Sequence, residues 1–344
     1  MCREEVSMMP KTKRSTKPLW KRVVRAIAVF VLSFTALSMA ASAIIFHVAF
    51  GDRYEGVQPL DLSYSDLDAD AYPRQEHVFT SGEHMLHGYW YEVKNEQGLV
   101  VIAHGLGGSS ESHLAEALYF LDHGLSVFAF DATGTAESEG DSIIGLSQSK
   151  PDVAAAVSYV RQLKEQLPIY LYGHSMGGYG AVAALERNLD VQAVVCIAGF
   201  RSPLRMMHGS AKEYVGVLAD LQYPFLVLQN WFVFGSGADT DAVQAAAESA
   251  VPVLFICGSE DTVVPRQAQL DESCLIAENI HYLLIEQEGR NGHTGLWLSD
   301  DAALYRQQLL EESAQSQELT VDKQRISQLD EELMDRILQF YLQS

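Results

Sequence analysis

Cysteine is scarce in this chain, four among 344 residues, with neither the paired spacing of a disulfide framework nor the Cys/His spacing of a metal site. Cys2 lies in the amino-terminal arm, Cys196 and Cys257 fall in apolar runs of core-strand character, and Cys274 in a stretch that reads as helix. Buried free thiols are expected, with Cys196 and Cys257 paired only if their strands are neighbours. Positive charge is scarce too, and unevenly placed. The chain carries 24 Lys and Arg against 45 Asp and Glu. Residues 1–25 hold eight of those cations (Arg3, Lys11, Lys13, Arg14, Lys17, Lys21, Arg22 and Arg25) against Glu4 and Glu5, so the remainder is strongly acidic. That sign excludes a nucleic-acid partner and an anionic membrane surface as electrostatic ligands. There is no internal repeat and no low-complexity tract. The glycine-rich turn at 104–108 lacks the Lys-Ser/Thr that a phosphate-binding loop requires after it. No metal and no organic cofactor is expected.

What is present in quantity is apolar sequence, 48% of residues, enough to fill a sizeable core. One block stands apart. Ala26 to Phe50 contains no Asp, Glu, Lys or Arg and is long enough to cross a hydrocarbon layer of roughly 30 Å as a helix. The basic arm before it, residues 1–25, places the amino terminus in the cytoplasm by the positive-inside rule. The expected layout is therefore a cytoplasmic arm (1–25), a transmembrane signal-anchor (26–50), a linker rich in Asp (51–73) and an extracytoplasmic domain (74–344). The alternative is a cleaved signal peptide, because Ala41-Ser42-Ala43 has the small-x-small form of a cleavage site. Against it, Ile44 to Phe50 continue the apolar run past that site.

Within the domain, Glu76 to Thr80 and Met85 to Val93 alternate around Ser81-Gly82-Glu83-His84 and read as an antiparallel hairpin at a sheet edge. Leu99 to Ala103 is apolar throughout, as befits a strand covered on both faces. From there strands and helices alternate: helix over 111–123, strand over 125–130, helix over 146–166, and strands over 169–172, 191–198 and 253–257. Helix over 265–279 and strand over 280–285 follow. Repeated β-α-β units with short connections predict a mostly parallel sheet with helices on both faces. Between Gly199 and Ala250 the alternation breaks for about fifty residues, more than a crossover needs. Its aromatic and Met content predicts a mostly helical cap over about 200–250, with Met206, Met207 and Trp231 as residues lining an acyl pocket.

Three strand ends carry chemistry. Tyr170-Leu171-Tyr172-Gly173-His174-Ser175-Met176-Gly177 is strand, turn and helix start, with glycine two residues either side of Ser175, the G-x-S-x-G pattern of a nucleophile elbow. A serine there needs a base and a group that orients the base. Asp261 follows the strand at 253–257, with Glu260 as its neighbouring rival. His293 follows the strand at 280–285, and it alone of the eleven histidines combines a loop position after a strand with a place beyond the acid. All three should emerge at the carboxyl edge of one parallel sheet. An oxyanion hole requires backbone N–H donors, and the amides of Leu106, in the glycine-rich turn, and Met176, after the nucleophile, are the candidates.

With these motifs, His104-Gly105-Leu106-Gly107-Gly108, Asp131 to Gly140, Gly173 to Gly178, Gly258 to Pro265 and Asn291 to Gly295, the sequence resembles the α/β-hydrolase superfamily over about residues 74–343. Within that superfamily it is similar to the serine hydrolases with a lid after the sixth strand. The resemblance implies an α/β-hydrolase fold ending in a helix near Glu331 to Leu342. It also implies hydrolysis of carboxylic esters through an acyl-enzyme, with a small-molecule or lipid ester as substrate. A lysophospholipase-like lipase, a peptidase, an acyltransferase, and a non-catalytic binding protein on the same fold are the alternatives. The chain departs from the family pattern at Thr133, where many relatives have arginine, and in a polar insert from about Glu311 to Gln328.

Overall fold

The computed structural model describes residues 18–56, 60–313 and 321–344. Most of the basic arm, Cys2 and the middle of the polar insert lie outside the described residues.

The centre of the domain is one eight-stranded sheet in the order β1-β2-β4-β3-β5-β6-β7-β8. Its strands are β1 (Arg74–Ser81), β2 (His84–Tyr91), β3 (Gly98–Ala103), β4 (Leu125–Phe130), β5 (Ile169–His174), β6 (Ala193–Ile197), β7 (Val253–Gly258) and β8 (Ile280–Ile285). β1 and β2 form the edge hairpin, β2 runs antiparallel to β4, and every later pairing is parallel. β3 to β6 are buried along their whole length. This is why they read as unbroken apolar runs: no face meets water.

Ten helices accompany the sheet among the described residues: α1 (Leu19–Phe50), α2 (Leu114–Asp122), α3 (Ser149–Leu163), α4 (Met176–Ala183), α5 (Pro203–Val215), α6 (Leu218–Phe234), α7 (Ala242–Ser249), α8 (Asp300–Ser313), α9 (Lys323–Ile326) and α10 (Glu331–Leu342). The core is split in two by the sheet. On one face Val153, Val157 and Val160 of α3, Tyr179 and Val182 of α4, and Val243 of α7 pack on alternate strand residues such as Val101, Leu171 and Cys196. On the other, Phe120 of α2 and Met334, Ile337 and Tyr341 of α10 pack on Ile102, Tyr172 and Val195. The Tyr341 hydroxyl donates to the Leu171 carbonyl at 2.8 Å and pins the closing helix to the central strand. The cap between β6 and β7 is α5 and α6, with α7 returning to the sheet.

Two segments differ from their sequence reading. No α-helix forms over 265–279, where a single 3-10 turn (Glu272–Cys274) is the regular element. The chain there is held instead by its own side chains and by the base of the cap. Gln269 Nε2 donates to the carbonyls of Asp261 and Val264, the Asp271 carboxylate accepts from Ser273 N, and Arg201 N donates to Ala268 O. The supposed linker is docked. Phe46 and Phe50 of α1 enter the core, Arg53 donates to the carbonyls of Ala136, Ser138 and Gly140, and Tyr64, Leu67 and Tyr72 pack against the second cluster. Cys196 and Cys257 do lie on neighbouring strands, but the residue opposite Cys196 is Phe255, and both thiols are free and buried. Burial pushes the Cys196 thiol up to about 12, which leaves it protonated and unreactive.

Candidate active site

The elbow is built by close approach of backbone. At the end of β5 the chain reverses into α4 through Ser175, at φ 52° and ψ −115°, a conformation that costs a non-glycine residue on the order of 1–3 kcal/mol. A Cβ on Gly177 would stand 2.1 Å from the Ala103 carbonyl oxygen, and one on Gly173 would stand 2.5 Å from the Gly177 oxygen. Neither neighbour is a side chain that could turn away. Gly177→Ala is therefore expected to prevent folding, read as loss of folded protein in the expressed fraction; normal yield and near-UV circular dichroism would show that the β3–α4 approach is looser than described.

Ser175, Asp261 and His293 meet at the carboxyl edge of the sheet. The Ser175 hydroxyl lies 2.9 Å from His293 Nε2, and His293 Nδ1 lies 2.8 Å from Asp261 Oδ2. The His293 and Asp261 side chains retain 9% and 7% of their surface. Asp261 is fixed by its own turn, its Oδ1 accepting from the amides of Val263 at 2.9 Å and Val264 at 3.1 Å. One carboxylate oxygen is thus spent on the loop and the other on the imidazole. Since Asp261 can only accept, Nδ1 carries the proton and Nε2 is left to accept from the serine. Glu260, the rival acid, contributes its backbone amide to Asn291 O and has an exposed side chain.

The glycine-rich turn after β3 lies alongside. Among the described residues the amides of Leu106 and Met176 have no protein acceptor, and both residues line the cavity that Ser175 and His293 also line. The Met176 amide is the first of α4, where helix N–H groups and dipole favour negative charge. The wall of that cavity, about 360 Å³, carries apolar side chains, Leu146, Met176, Phe200, Met206 and Val263 among them, and the polar Asp61, Glu111, Ser112 and Arg306. Of the three cap residues expected to line it, Met206 does. Met207 packs against the core cluster, about 100° further round the same helix. Trp231 is 54% exposed on the outside of α6 and reaches no part of the cavity wall.

Two histidines of the strand-end motifs, outside the line of Ser175, His293 and Asp261, hold the site in shape. His104 is buried; its Nε2 accepts from Ala132 N at 3.0 Å, so its Nδ1–H donates to Gly105 O at 2.7 Å and fastens the oxyanion turn to the loop after β4. His174 donates from Nε2 to the backbone carbonyl of His293 at 3.0 Å, which locates the base from behind. Burial holds both imidazoles below their ordinary range, His174 well below it with help from the neighbouring His113. The unfolded chain takes up these protons near pH 6.5 while the native state does not, so stability falls as pH drops through that value. The melting temperature is expected to be level above about pH 7.5 and to decline towards pH 5, with a shallower decline in His174→Gln; identical pH profiles for the two proteins would count against a neutral His174. Thr133, where the family pattern has arginine, lies outside the cavity wall: its amide and hydroxyl donate to the buried Asp152 carboxylate at 2.9 and 3.0 Å. The polar residues of the cavity wall escaped sequence reasoning, since Arg306 of α8 meets Asp61 across 245 residues at 3.1 Å and no local pattern marks either.

A mostly parallel sheet with helices on both faces, a strained serine after its central strand and a cap inserted beyond the sixth strand give the chain the α/β-hydrolase fold. A family model described as serine aminopeptidase, S33, matches residues 94–227. Human monoglyceride lipase is 30% identical over 167 residues, 47% of this chain and 50% of that protein. A lysophosphatidylserine lipase, ABHD12, from Danio rerio is 25% identical over 238 residues, 66% of this chain and 58% of that protein. The chain thus matches about half the length of these relatives. Among solved structures, an esterase from Pyrococcus furiosus superposes with a TM-score of 0.53 at 16% identity, over 84% of this chain and 98% of that one.

Proposed function

We propose that this protein is a serine hydrolase of carboxylic esters, held at a membrane by α1. The observation that carries the reading is the hydrogen-bonded line Ser175–His293–Asp261 at the wall of a partly apolar cavity. In this mechanism Ser175 Oγ attacks the ester carbonyl as His293 Nε2 takes its proton. Asp261 orients the ring and stabilises the imidazolium, and the Leu106 and Met176 amides stabilise the oxyanion. Collapse expels the alcohol, which leaves with the proton from His293. Water then enters by the same route, releasing the acid and restoring the serine. No step calls for a metal or an organic cofactor.

The cavity suggests how an ester lies in it. The acyl chain packs on Phe200 and Met206, and the alcohol meets Asp61, Ser112 and Arg306. Relatives named for monoglycerides and lysophosphatidylserine have acyl esters of polar alcohols as substrates, and they support a lipid ester here. A p-nitrophenyl ester series from acetate to palmitate tests the reading; folded protein that hydrolyses no member and takes no fluorophosphonate label would overturn it. Met206→Ala is expected to change the octanoate-to-acetate ratio of kcat/KM several-fold, because a buried methylene is worth about 0.8 kcal/mol. An unchanged ratio would remove Met206 from the acyl contact.

The domain layout follows the sequence reading, with 1–25 a cytoplasmic arm, 26–50 a retained anchor and the catalytic domain beyond. Retention is supported by the place of Ala41-Ser42-Ala43, which lies within α1 with Ser42 wholly buried against the cap. An isolated protein beginning at Ile44 would instead establish a cleaved signal peptide. A tag at residue 1 and the domain should lie on opposite sides of the membrane, read by protease protection in sealed vesicles.

A further inference from the structure

The cap is tied to the anchor helix. Gln222 of α6 donates from Nε2 to the Ser38 carbonyl and to the Ser42 hydroxyl, both at 2.7 Å, and Phe225 meets Phe34 edge-on with ring centres 5.8 Å apart. Height along α1 gives this contact its meaning. Lys21, Arg22 and Arg25 mark where the helix leaves the headgroups, and from Ala26 a hydrocarbon core of roughly 30 Å extends about 20 residues. Phe34, Ser38 and Ser42 then stand about 12, 18 and 24 Å into that core. A cap helix touching all three cannot lie wholly in water.

The sequence of α6 fits that position. Its only charged residue is Asp220, and that carboxylate is held by His208 at 2.8 Å and Lys212 at 3.0 Å. Leu226 and Asn230 face the domain, whereas Leu221, Leu228, Trp231 and Phe232 on the far side are exposed, Phe232 to 65%. Tyr214, Val217 and Leu218 extend the apolar face around the α5–α6 turn. A predominantly apolar helix is either buried in protein or in contact with lipid, and in this fold one side of it is covered by the domain.

We propose that the outer face of α6 and the α5–α6 turn are immersed in the bilayer that α1 spans, forming with α1 a two-helix membrane contact that seats the cap in the membrane. The contact is apolar, so the acidic surface elsewhere does not oppose it on a zwitterionic membrane. The proposal rests on the anchor reading of α1, and the test separates the two.

Full-length protein with Cys2→Ser is reconstituted in phosphatidylcholine vesicles, with an environment-sensitive dye on a cysteine introduced at one of three places. Phe30→Cys reports on the anchor. Phe232→Cys reports on the cap. Glu165→Cys, exposed and just before β5 at the opposite sheet edge, reports on water. Brominated acyl chains are expected to quench the dye at 30 and at 232 at least two-fold and to spare it at 165, with iodide giving the reverse. Quenching at 30 with water-like behaviour at 232 would overturn the proposal while leaving the anchor in place. A dye at 232 shielded from iodide yet unaffected by bromine would also overturn it, in favour of a protein on that face. Water-like behaviour at 30 would defeat the anchor reading and the two-helix contact with it. As a functional arm, Leu228→Ser with Phe232→Ser is expected to lower turnover of a long-chain ester presented in vesicles about ten-fold and to leave p-nitrophenyl acetate unchanged; equal loss on both esters would mean damage to the fold and no role for the face.

Discussion

Ser175→Ala is expected to remove fluorophosphonate labelling and to lower kcat by on the order of 10⁶, as loss of a serine nucleophile does elsewhere, while the melting temperature stays put or rises slightly. The asymmetry follows from the site. The hydroxyl's bond to His293 is the only one described for it, so little native structure depends on the oxygen. The strain at φ 52° is a property of the backbone and survives the change. Because the three residues act as a unit, Ser175→Ala with His293→Ala should cost little more than either alone. Residual turnover in Ser175→Ala within ten-fold of the parent would remove the serine from the mechanism. Kinetics of the single and double variants beside thermal melts decide it.

Asp261→Asn is expected to lower kcat by about 10⁴ with KM little changed. Asparagine keeps the shape and one acceptor, so the turn bonds from Val263 and Val264 can persist. What it loses is the charge beside Nδ1. Its amide can also donate to Nδ1 and so favour the tautomer with the proton on Nε2, which can no longer take the serine's proton. The imidazolium that forms during attack then has no anion to stabilise it. The matching control is Glu260→Gln, whose exposed side chain has no part in the line of hydrogen bonds and should leave kcat within about two-fold. If Glu260→Gln is the crippling change and Asp261→Asn the mild one, the acid assignment is reversed.

Much of the site could be read from the chain because elbow, acid turn and base turn are local devices. Gly173 is demanded by the chain crossing at Gly177, within a few residues of Ser175, although Gly177 answers to the distant Ala103 carbonyl, and Asp261 holds its own turn through amides two and three residues on. Each leaves a mark at fixed spacing. The cap was legible only as an excursion: its helices were expected, but which side of each meets the cavity depends on how the pair is set down. Met206 and Met207 are adjacent and both pack against the core, yet only Met206 lines the cavity, and Trp231, expected to line it, is outside. The error over 265–279 has the same root. Nothing in Pro265 to Asn279 forbids a helix strongly, and the segment forms turns instead, with Arg201, from the base of the cap, taking the Ala268 carbonyl and Gln269 reaching back to the carbonyls of Asp261 and Val264.

The sequence by itself determined the succession of strands, the parallel sheet and the three residues at its carboxyl edge, because periodicity and turn chemistry act over a few residues and need no partner. Only the tertiary structure decided what covers what. It brought Asp61 to Arg306, set His174 behind the base, buried Phe46 and Phe50 in the core and laid α6 against α1. The physical reason is that these contacts join residues far apart in the chain. Their energy comes from apolar surface and hydrogen-bonding groups that find one another only when the sheet has already fixed where each segment lies.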